Sequence, residues 1–412
     1  MSGETARRHG VILDPNRRWA AAFVLLVALA VRVAAVAFAP DVHRGAYDKV
    51  YRYDPIALNI IKGEGFSFHG HATAYSAPLY PLLLAGIYGA VGKSDLAAYL
   101  VLAILDAATC VIFFAVARRL LGGDVAILTA VVMVVMPYLV YSVLLGGSDT
   151  LFIFLNALFL WIVIRGIDAP SVWTFAAGGV VLGLASLARA NSLLLPLFIV
   201  PILVFRRPTR RWLGLTLAFL LAYAASLTPW TVRNYLVFDR FVPVQTLGGI
   251  HLLRAAPRAT EHWSPTARNE GSSVEVDRAD HDAGFYGKAL QRILSDPLTY
   301  LKSCATRLRL LWYVTQSQRF QAFITIANPI LLALAACGVV LARRQWRGLL
   351  PLYAIVGYYN IVQCAFVASF RYLLPIIPMI IILATVPCVA ILQMIRRRVG
   401  WEPAGNSAEG PP

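Results

Sequence analysis

Six side chains carry most of the chemistry this sequence could perform. Three are carboxylates, Asp48, Asp54 and Asp149, and three are guanidinium groups, Arg189, Arg233 and Arg371. A carboxylate at a water-facing edge can take the proton of an attacking hydroxyl as a general base. A guanidinium is always charged and forks onto phosphate oxygens. Each residue also has a plain structural reading. Asp48 sits beside Lys49 and near Arg52, either of which would pair with it. Asp54 precedes Pro55, an ordinary N-cap and N1 combination. Asp149 follows Gly146-Gly147-Ser148 and would cap the next helix. The arginines would snorkel to lipid headgroups. His69-Gly70-His71 offers two nitrogen ligands with no carboxylate at ligand spacing, so neither a metal nor another cofactor is expected. His251, His262 and His281 would contact an acceptor or simply be solvated.

What must position these groups is a membrane scaffold. Of 412 residues, 59% are hydrophobic and only 14% charged, with a mean hydropathy of +0.67. An ordinary soluble domain is nearer a quarter charged. The net charge is +16, from 37 Lys and Arg against 21 Asp and Glu. Those charges interrupt long apolar runs instead of covering one face, which argues against nucleic-acid binding. A soluble enzyme, a disordered chain and a disulfide scaffold are excluded. Of the five Cys, Cys110, Cys337, Cys364 and Cys388 fall in apolar runs. Cys304 stands alone in a polar one, so no disulfide outside the membrane is expected. Arg7, Arg8, Arg17 and Arg18 precede the first run, which reads as an uncleaved first helix and not a signal peptide.

Runs near the bilayer-spanning length of about 20 residues lie at 19–40, 96–117, 125–146, 150–165, 171–188, 191–205, 212–230, 320–342, 348–367 and 373–395. The segment 77–92 is shorter and rich in Pro and Gly, which suits an interfacial helix. With it non-spanning and the N-terminus inside, Arg118-Arg119, Arg165, Arg206-Arg207, Arg210-Arg211, Arg343-Arg344 and Arg396–Arg398 all fall on the cytoplasmic side, as the positive-inside rule requires. The expectation is an all-α polytopic membrane protein. It has one domain over 1–398, ten spans, both termini cytoplasmic, and a disordered tail at 399–412.

This topology places loop 41–95, the turn at Gly146–Asp149 and the large loop 231–319 on one outer face, with Arg189 and Arg371 at outer helix ends. In the first loop, Ile56, Ile60 and Ile61 line one face of a short amphipathic helix that Gly63 ends. Two interfacial helices are therefore expected after the first span. Arg32 and Asp106 lie within predicted spans, where ionisable groups are costly. Arg32 would snorkel to a lipid phosphate, and Asp106 would bond between helices.

Several stretches resemble one family in their order and sidedness. They are Tyr53-Asp54-x-Ile56-Ala57-x-Asn59, Gly63-x-Gly65-Phe66-Ser67, Pro78-Leu79-Tyr80-Pro81, Ser148-Asp149-Thr150-Leu151, Leu187-Ala188-Arg189-Ala190-Asn191, Thr228-Pro229-Trp230-Thr231-Val232-Arg233-Asn234 and Phe370-Arg371-Tyr372-Leu373-Leu374-Pro375. Over 19–395 the chain resembles bacterial GT-C membrane glycosyltransferases of the RgtA/B/C/D-like and ArnT-like groups. Those groups are related to dolichyl-phosphate-mannose protein mannosyltransferases. The resemblance implies a GT-C-like fold and inverting transfer of a sugar from a polyprenyl-phosphate donor to an acceptor hydroxyl on the outer face. It implies a first-loop carboxylate as base and arginines on the phosphate, in a metal-independent design, within a bacterial inner or sole cell membrane. Under it Asp48 is the base candidate, Asp149 positions the donor or the base, and Arg189, Arg233 and Arg371 bind donor phosphate. The protein mannosyltransferases carry two adjacent acidic residues where this chain has Asp48-Lys49, which leaves Asp54 a competitor. The rival readings are a lipid or glycan transporter or flippase, and an inactive GT-C-like scaffold. A transporter would show midplane charges on broken helices and an internal repeat, and no convincing repeat is visible.

Overall fold

Helices occupy all ten apolar runs. The computed structural model describes residues 19–38, 49–206, 209–256, 279–314, 318–366 and 369–399. Asp48, His262, the side chain of His281 and the tail from 400 onward lie outside them. In chain order the elements begin with α1 (Trp19–Phe38), a single π-helical turn (Lys49–Tyr53), α2 (Asp54–Ile61), β1 (Ser67–Phe68), β2 (His71–Ala72) and α3 (Leu79–Val91). Next come α4 (Asp95–Leu121), α5 (Gly123–Val135), α6 (Pro137–Leu144), α7 (Ser148–Asp168), α8 (Val172–Ala188), α9 (Pro196–Arg206) and α10 (Arg210–Phe238). The large loop contributes α11 (Gly248–Ala255), α12 (Ala279–Ser295) and α13 (Pro297–Tyr313). The chain closes with α14 (Gln318–Leu341), α15 (Trp346–Ala365), a 3₁₀ turn (Phe370–Ile376) and α16 (Ile377–Arg398).

Seven of these helical segments are each long and apolar enough to cross a membrane, and α5 with α6 makes an eighth, bent by 46°. The apolar helices α3, α8 and α9 are shorter than that, and α8 and α9 lie in the other two of the ten apolar runs. The bend follows from Pro137. Its ring has no N–H to give the Met133 carbonyl, and Met136 takes an extended ψ of 115°. The Val134 carbonyl thereby loses its helical partner and the Met133 carbonyl keeps only a long bond from the Met136 N–H at 3.4 Å, at membrane depth, where an unsatisfied backbone group is costly. Arg32 satisfies both, donating Nη1 to the Val134 oxygen at 2.5 Å and Nη2 to the Met133 oxygen at 3.0 Å. Its Nε meets Asp106 at 2.6 Å. Arg32 therefore does not snorkel. It is fully buried, tying α1 to α4 and to the end of α5, where a cation also suits the helix dipole. Asp106 holds the interhelical bond expected of it.

Close packing fixes the rest of the bundle. A Cβ on Gly179 of α8 would stand 2.2 Å from the Phe219 carbonyl of α10, and one on Gly338 of α14 would stand 1.9 Å from the Leu383 carbonyl of α16. Only glycine permits backbones that near. Polar contacts then sort to two ends. Arg119 pairs with Asp168 at 2.8 Å, Gln393 with Asp124 at 2.8 Å, and Arg211 with the Pro170 carbonyl at 3.2 Å. The first loop, the Gly146–Asp149 turn, Arg189 and Arg371 meet at the opposite end, the relative sidedness the arginine pattern requires.

Two local expectations are corrected. Asp54 is not an N-cap: Tyr53 occupies that position with no side-chain cap bond, and Asp54 is the first helical residue. Asp149 is not one either, since Gly147 is the cap residue of α7. The His69-Gly70 pair has a structural explanation. Both residues have positive φ, +50° and +78°, forming the two-residue turn of the β1–β2 hairpin, a turn that demands left-handed backbone at both centres.

Candidate active site

The site forms where three helix ends converge. Asp149 opens α7, Arg189 ends α8 in an extended conformation, and Arg371 rides the 3₁₀ turn between α15 and α16. The Asp149 side chain is 1% exposed. One of its oxygens accepts from Arg189 Nη1. The other accepts from Arg371 Nε at 2.8 Å and Nη2 at 2.5 Å. One buried carboxylate thus holds two guanidinium groups, leaving a net positive charge. Arg371 keeps 26% of its side chain exposed and Arg189 12%. The arginines are aimed without being buried. A Cβ on Gly147 would meet Arg371 Nη2 at 3.0 Å and Asp149 Oδ2 at 3.2 Å, so the turn glycine makes room for the clamp.

Gly146 does the same for the first loop. With φ at +58°, a Cβ there would strike Lys49 Cδ at 2.8 Å and the Tyr99 ring at 3.0 Å. Lys49 Nζ is bonded to both oxygens of Asp54, at 2.9 and 3.0 Å, to Tyr88 Oη at 2.9 Å and to Asp95 at 2.7 Å. Tyr88 donates to Asp54 at 2.8 Å. Burial by itself depresses a lysine, but the bonds to Asp54 and Asp95 outweigh it and hold Lys49 above its usual value. Asp54 is therefore spent on a neighbouring ammonium. Tyr80 donates to the Gly146 carbonyl at 2.5 Å, and the hydroxyls of Tyr53 and Ser148 meet at 3.1 Å. The Asp54 network and the Asp149 clamp thus meet successive residues of one four-residue turn, Gly146 and Gly147.

The large loop supplies a third wall. His251, on α11, stays neutral to about pH 4, because it is desolvated and because Arg254, Arg52 and Arg189 repel a proton there. Just before α11, the Thr246 N–H donates to the Ala74 carbonyl of the first loop at 3.0 Å. Arg52 stacks over the Tyr53 ring at 4.5 Å and bonds its hydroxyl at 2.5 Å. Arg254, Arg52 and Arg189 thus act on one buried imidazole, and Arg189 shares Asp149 with Arg371, a concentration of positive charge suited to an anion with several oxygens.

Of the six side chains singled out, the structure brings Asp149, Arg189 and Arg371 together and sets Asp54 in the adjoining Lys49 network. Arg233 lies apart from the clamp. It donates to the Thr73 carbonyl at 2.9 Å and the Phe66 carbonyl at 3.0 Å, over the Trp230 ring at 4.9 Å. It staples the hairpin of the first loop to α10. Lys49 and Arg52 were not singled out as site residues. Their signal is a dense tyrosine context, Tyr47, Tyr51 and Tyr53, in which a cation needs a counter-charge.

Residues 75–232 match the family model of dolichyl-phosphate-mannose-protein mannosyltransferases. A search of curated proteins finds no match. Among solved structures, an Archaeoglobus fulgidus oligosaccharyltransferase tethered with an acceptor peptide shares the fold with a TM-score of 0.57 at 10% identity, over 94% of this chain and 51% of that one. The oligosaccharyltransferase AglB of the same organism, in complex with an inhibitory peptide and a dolichol-phosphate, does so at 0.57 and 12% identity, over 95% and 53%. The chain therefore spans about half the length of these archaeal relatives. ArnT from Cupriavidus metallidurans bound to undecaprenyl phosphate aligns over 93% of this chain and 80% of that one at 14% identity, with a TM-score of only 0.42. Residues 75–232 are thus similar to the dolichyl-phosphate-mannose-protein mannosyltransferase family, and nearly the whole chain shares its helical fold with the archaeal oligosaccharyltransferases.

Proposed function

We propose that the protein transfers a sugar, with inversion, from a polyprenyl-phosphate donor to an acceptor hydroxyl at the outer face of a bacterial cell membrane. The observation that carries this is the buried Asp149 clamping Arg189 and Arg371 beside Arg52 and His251. Support comes from the matched mannosyltransferase family and from AglB, whose structure holds a dolichol-phosphate. The polyprenyl tail would lie in the bilayer with its phosphate against Arg189 and Arg371.

In this reading the acceptor oxygen attacks the anomeric carbon from the face opposite the phosphate. The bond from anomeric carbon to phosphate oxygen breaks and its electron pair leaves with the polyprenyl phosphate. The acceptor proton passes to Asp48, the residue preceding the anchored Lys49. Such a base is worth about 10²- to 10⁴-fold. Arg189 and Arg371, fixed in advance by Asp149, meet the charge developing on the phosphate, and losing one preorganised donor typically costs about 10²- to 10³-fold. Asp149 positions these groups and takes no proton. Arg233 acts through the hairpin it holds.

The test uses membranes carrying wild type, Asp48→Asn, Asp54→Asn and Arg371→Gln, supplied with radiolabelled polyprenyl-phosphate sugars and endogenous acceptors. Transfer by the wild type, abolished in Asp48→Asn and cut about 10²-fold or more in Arg371→Gln, is the expected result. If Asp48→Asn transfers normally, the base assignment falls. If the wild type transfers from no donor, glycosyl transfer itself is refuted in favour of a transporter or scaffold.

A further inference from the structure

Cys364 sits inside an apolar run in the sequence, yet in the structure it is the penultimate residue of α15, only partly buried. There it meets α13. Tyr300, Cys304 and Arg307 of α13 are spaced four and three residues apart and share one helix face. The two residues flanking Cys304 on that face both reach the end of α15. Tyr300 Oη donates to the Ala365 carbonyl at 2.6 Å, and the fully buried Arg307 donates Nε to the Cys364 carbonyl at 2.7 Å. Arg307 also donates Nη2 to Cys304 Sγ at 3.2 Å and Nη1 to the Ala255 carbonyl of α11 at 2.8 Å. Cys304 is thus held between two contacts that both converge on the backbone of Cys364 and Ala365. The Cys364 thiol itself donates to the Ile361 carbonyl of its own helix at 3.0 Å. The other three cysteines lie elsewhere: Cys110 on α4, Cys337 on α14 and Cys388 on α16.

We propose that Cys304 and Cys364 are a redox pair that closes to an intrachain disulfide by exchange with a disulfide-bearing oxidant. One thiolate attacks the oxidant's disulfide, forming a mixed disulfide and expelling one thiol. The second cysteine then attacks the protein sulfur of that mixed disulfide and expels the other thiol. In total, two protein thiols and one small disulfide give one protein disulfide and two small thiols, the protons ending on the expelled sulfurs. The bond would tie α13 to α15. Through Arg307 and Ala255 it would stiffen α11, the helix that carries His251. The pair lies at the Asp149 end of the bundle, and the inference does not depend on glycosyl transfer.

The experiment treats the purified full-length protein in detergent with oxidised glutathione, then alkylates it and maps peptides without reduction. The expected result is loss of two alkylatable thiols, a mass lower by about 2 Da per disulfide formed, and one cross-linked species joining the Cys304 and Cys364 peptides. Dithiothreitol should restore both thiols. Cys304→Ser should leave Cys364 alkylatable or carrying a single glutathione, and Cys364→Ser the converse. The proposal is overturned if wild-type Cys304 and Cys364 stay separately alkylated or separately glutathionylated, or if either cross-links instead to Cys110, Cys337 or Cys388. Mapping of the wild type decides the matter even if a serine variant fails to fold.

Discussion

Replacing Lys49 with methionine tests how the first loop is held. The ammonium is 1% exposed and touches two carboxylates of unequal burial, Asp54 at 6% and Asp95 at 54% side-chain exposure. Methionine keeps most of the stem that packs against Gly146 and Tyr99, so the cavity cost is small. What is lost is the charge facing a buried Asp54, left with only the Tyr88 hydroxyl. Removing one partner of a buried ion pair costs about 3–5 kcal/mol. Asp95→Asn removes a half-exposed partner, worth about 0–1 kcal/mol. Asp54→Asn falls between, about 2 kcal/mol, because Lys49 keeps Asp95 and an amide oxygen. At roughly 2–4 °C per kcal/mol, Lys49→Met should lower the melting midpoint on the order of 10 °C, and Asp95→Asn by only a few degrees. The assay is thermal unfolding of purified protein in one detergent at one scan rate. A pH series adds a second readout. Lys49 is held above the ordinary lysine value of about 10.4. Its contribution is therefore complete below that value and is lost as pH rises through the higher folded value. Wild type should lose more stability than Lys49→Met on that alkaline side. A Lys49→Met midpoint within about 2 °C of wild type, or an Asp95→Asn loss equal to that of Asp54→Asn, would refute the assignment of Asp54 as the main partner.

Two further outcomes follow from the same reasoning. Arg32→Met strands the Asp106 carboxylate and the Val134 carbonyl and leaves the Met133 carbonyl only its long bond from Met136 at the α5–α6 break. It should cost about 3–5 kcal/mol, with Arg32→Met/Asp106→Leu recovering part of that loss, as read in the same thermal assay. His251 takes up a proton only near pH 4, against about 6.5 in the unfolded chain. The unfolded state therefore binds more protons between those values. Stability should fall as pH drops through that window, by at most about 3 kcal/mol, and His251→Gln should show a shallower acid loss in a pH series of melts.

Hydropathy and charge reveal the scaffold because the bilayer imposes them separately on each segment. Every span must be apolar over nearly its full length, and each short loop expected on the cytoplasmic side carries its own arginines. Such constraints need no knowledge of neighbours. The bend within 125–146 was not read from the sequence, although Pro137 stands in mid-run. Pairing is different. Arg32 and Asp106 are 74 residues apart. Each is an isolated cost in its own span, and only the packing of α1 on α4 turns them into a pair. The fold also sends Lys49 to Asp54, Tyr88 and Asp95, the last 46 residues away. The helix-capping rule failed at Asp54 for the same reason: a buried ammonium outcompeted the local cap.

The three arginines show what decides a role when residue type cannot. Arg189, Arg233 and Arg371 are chemically identical and all sit at helix ends near one face. Arg233 has Trp230 three residues before it and the Phe66 ring opposite, and its donors go to two loop carbonyls. Arg189 and Arg371 instead share one buried carboxylate and keep part of each side chain exposed. A guanidinium whose bonds are taken by backbone oxygens serves the fold. One steered by a single acid, with surplus positive charge, remains able to meet an anion. That distinction rests on which acceptor each arginine reaches. The acceptor comes from a distant segment, Thr73 and Phe66 for Arg233 and Asp149 for the other two, so it belongs to the folded chain and not to any stretch of its sequence.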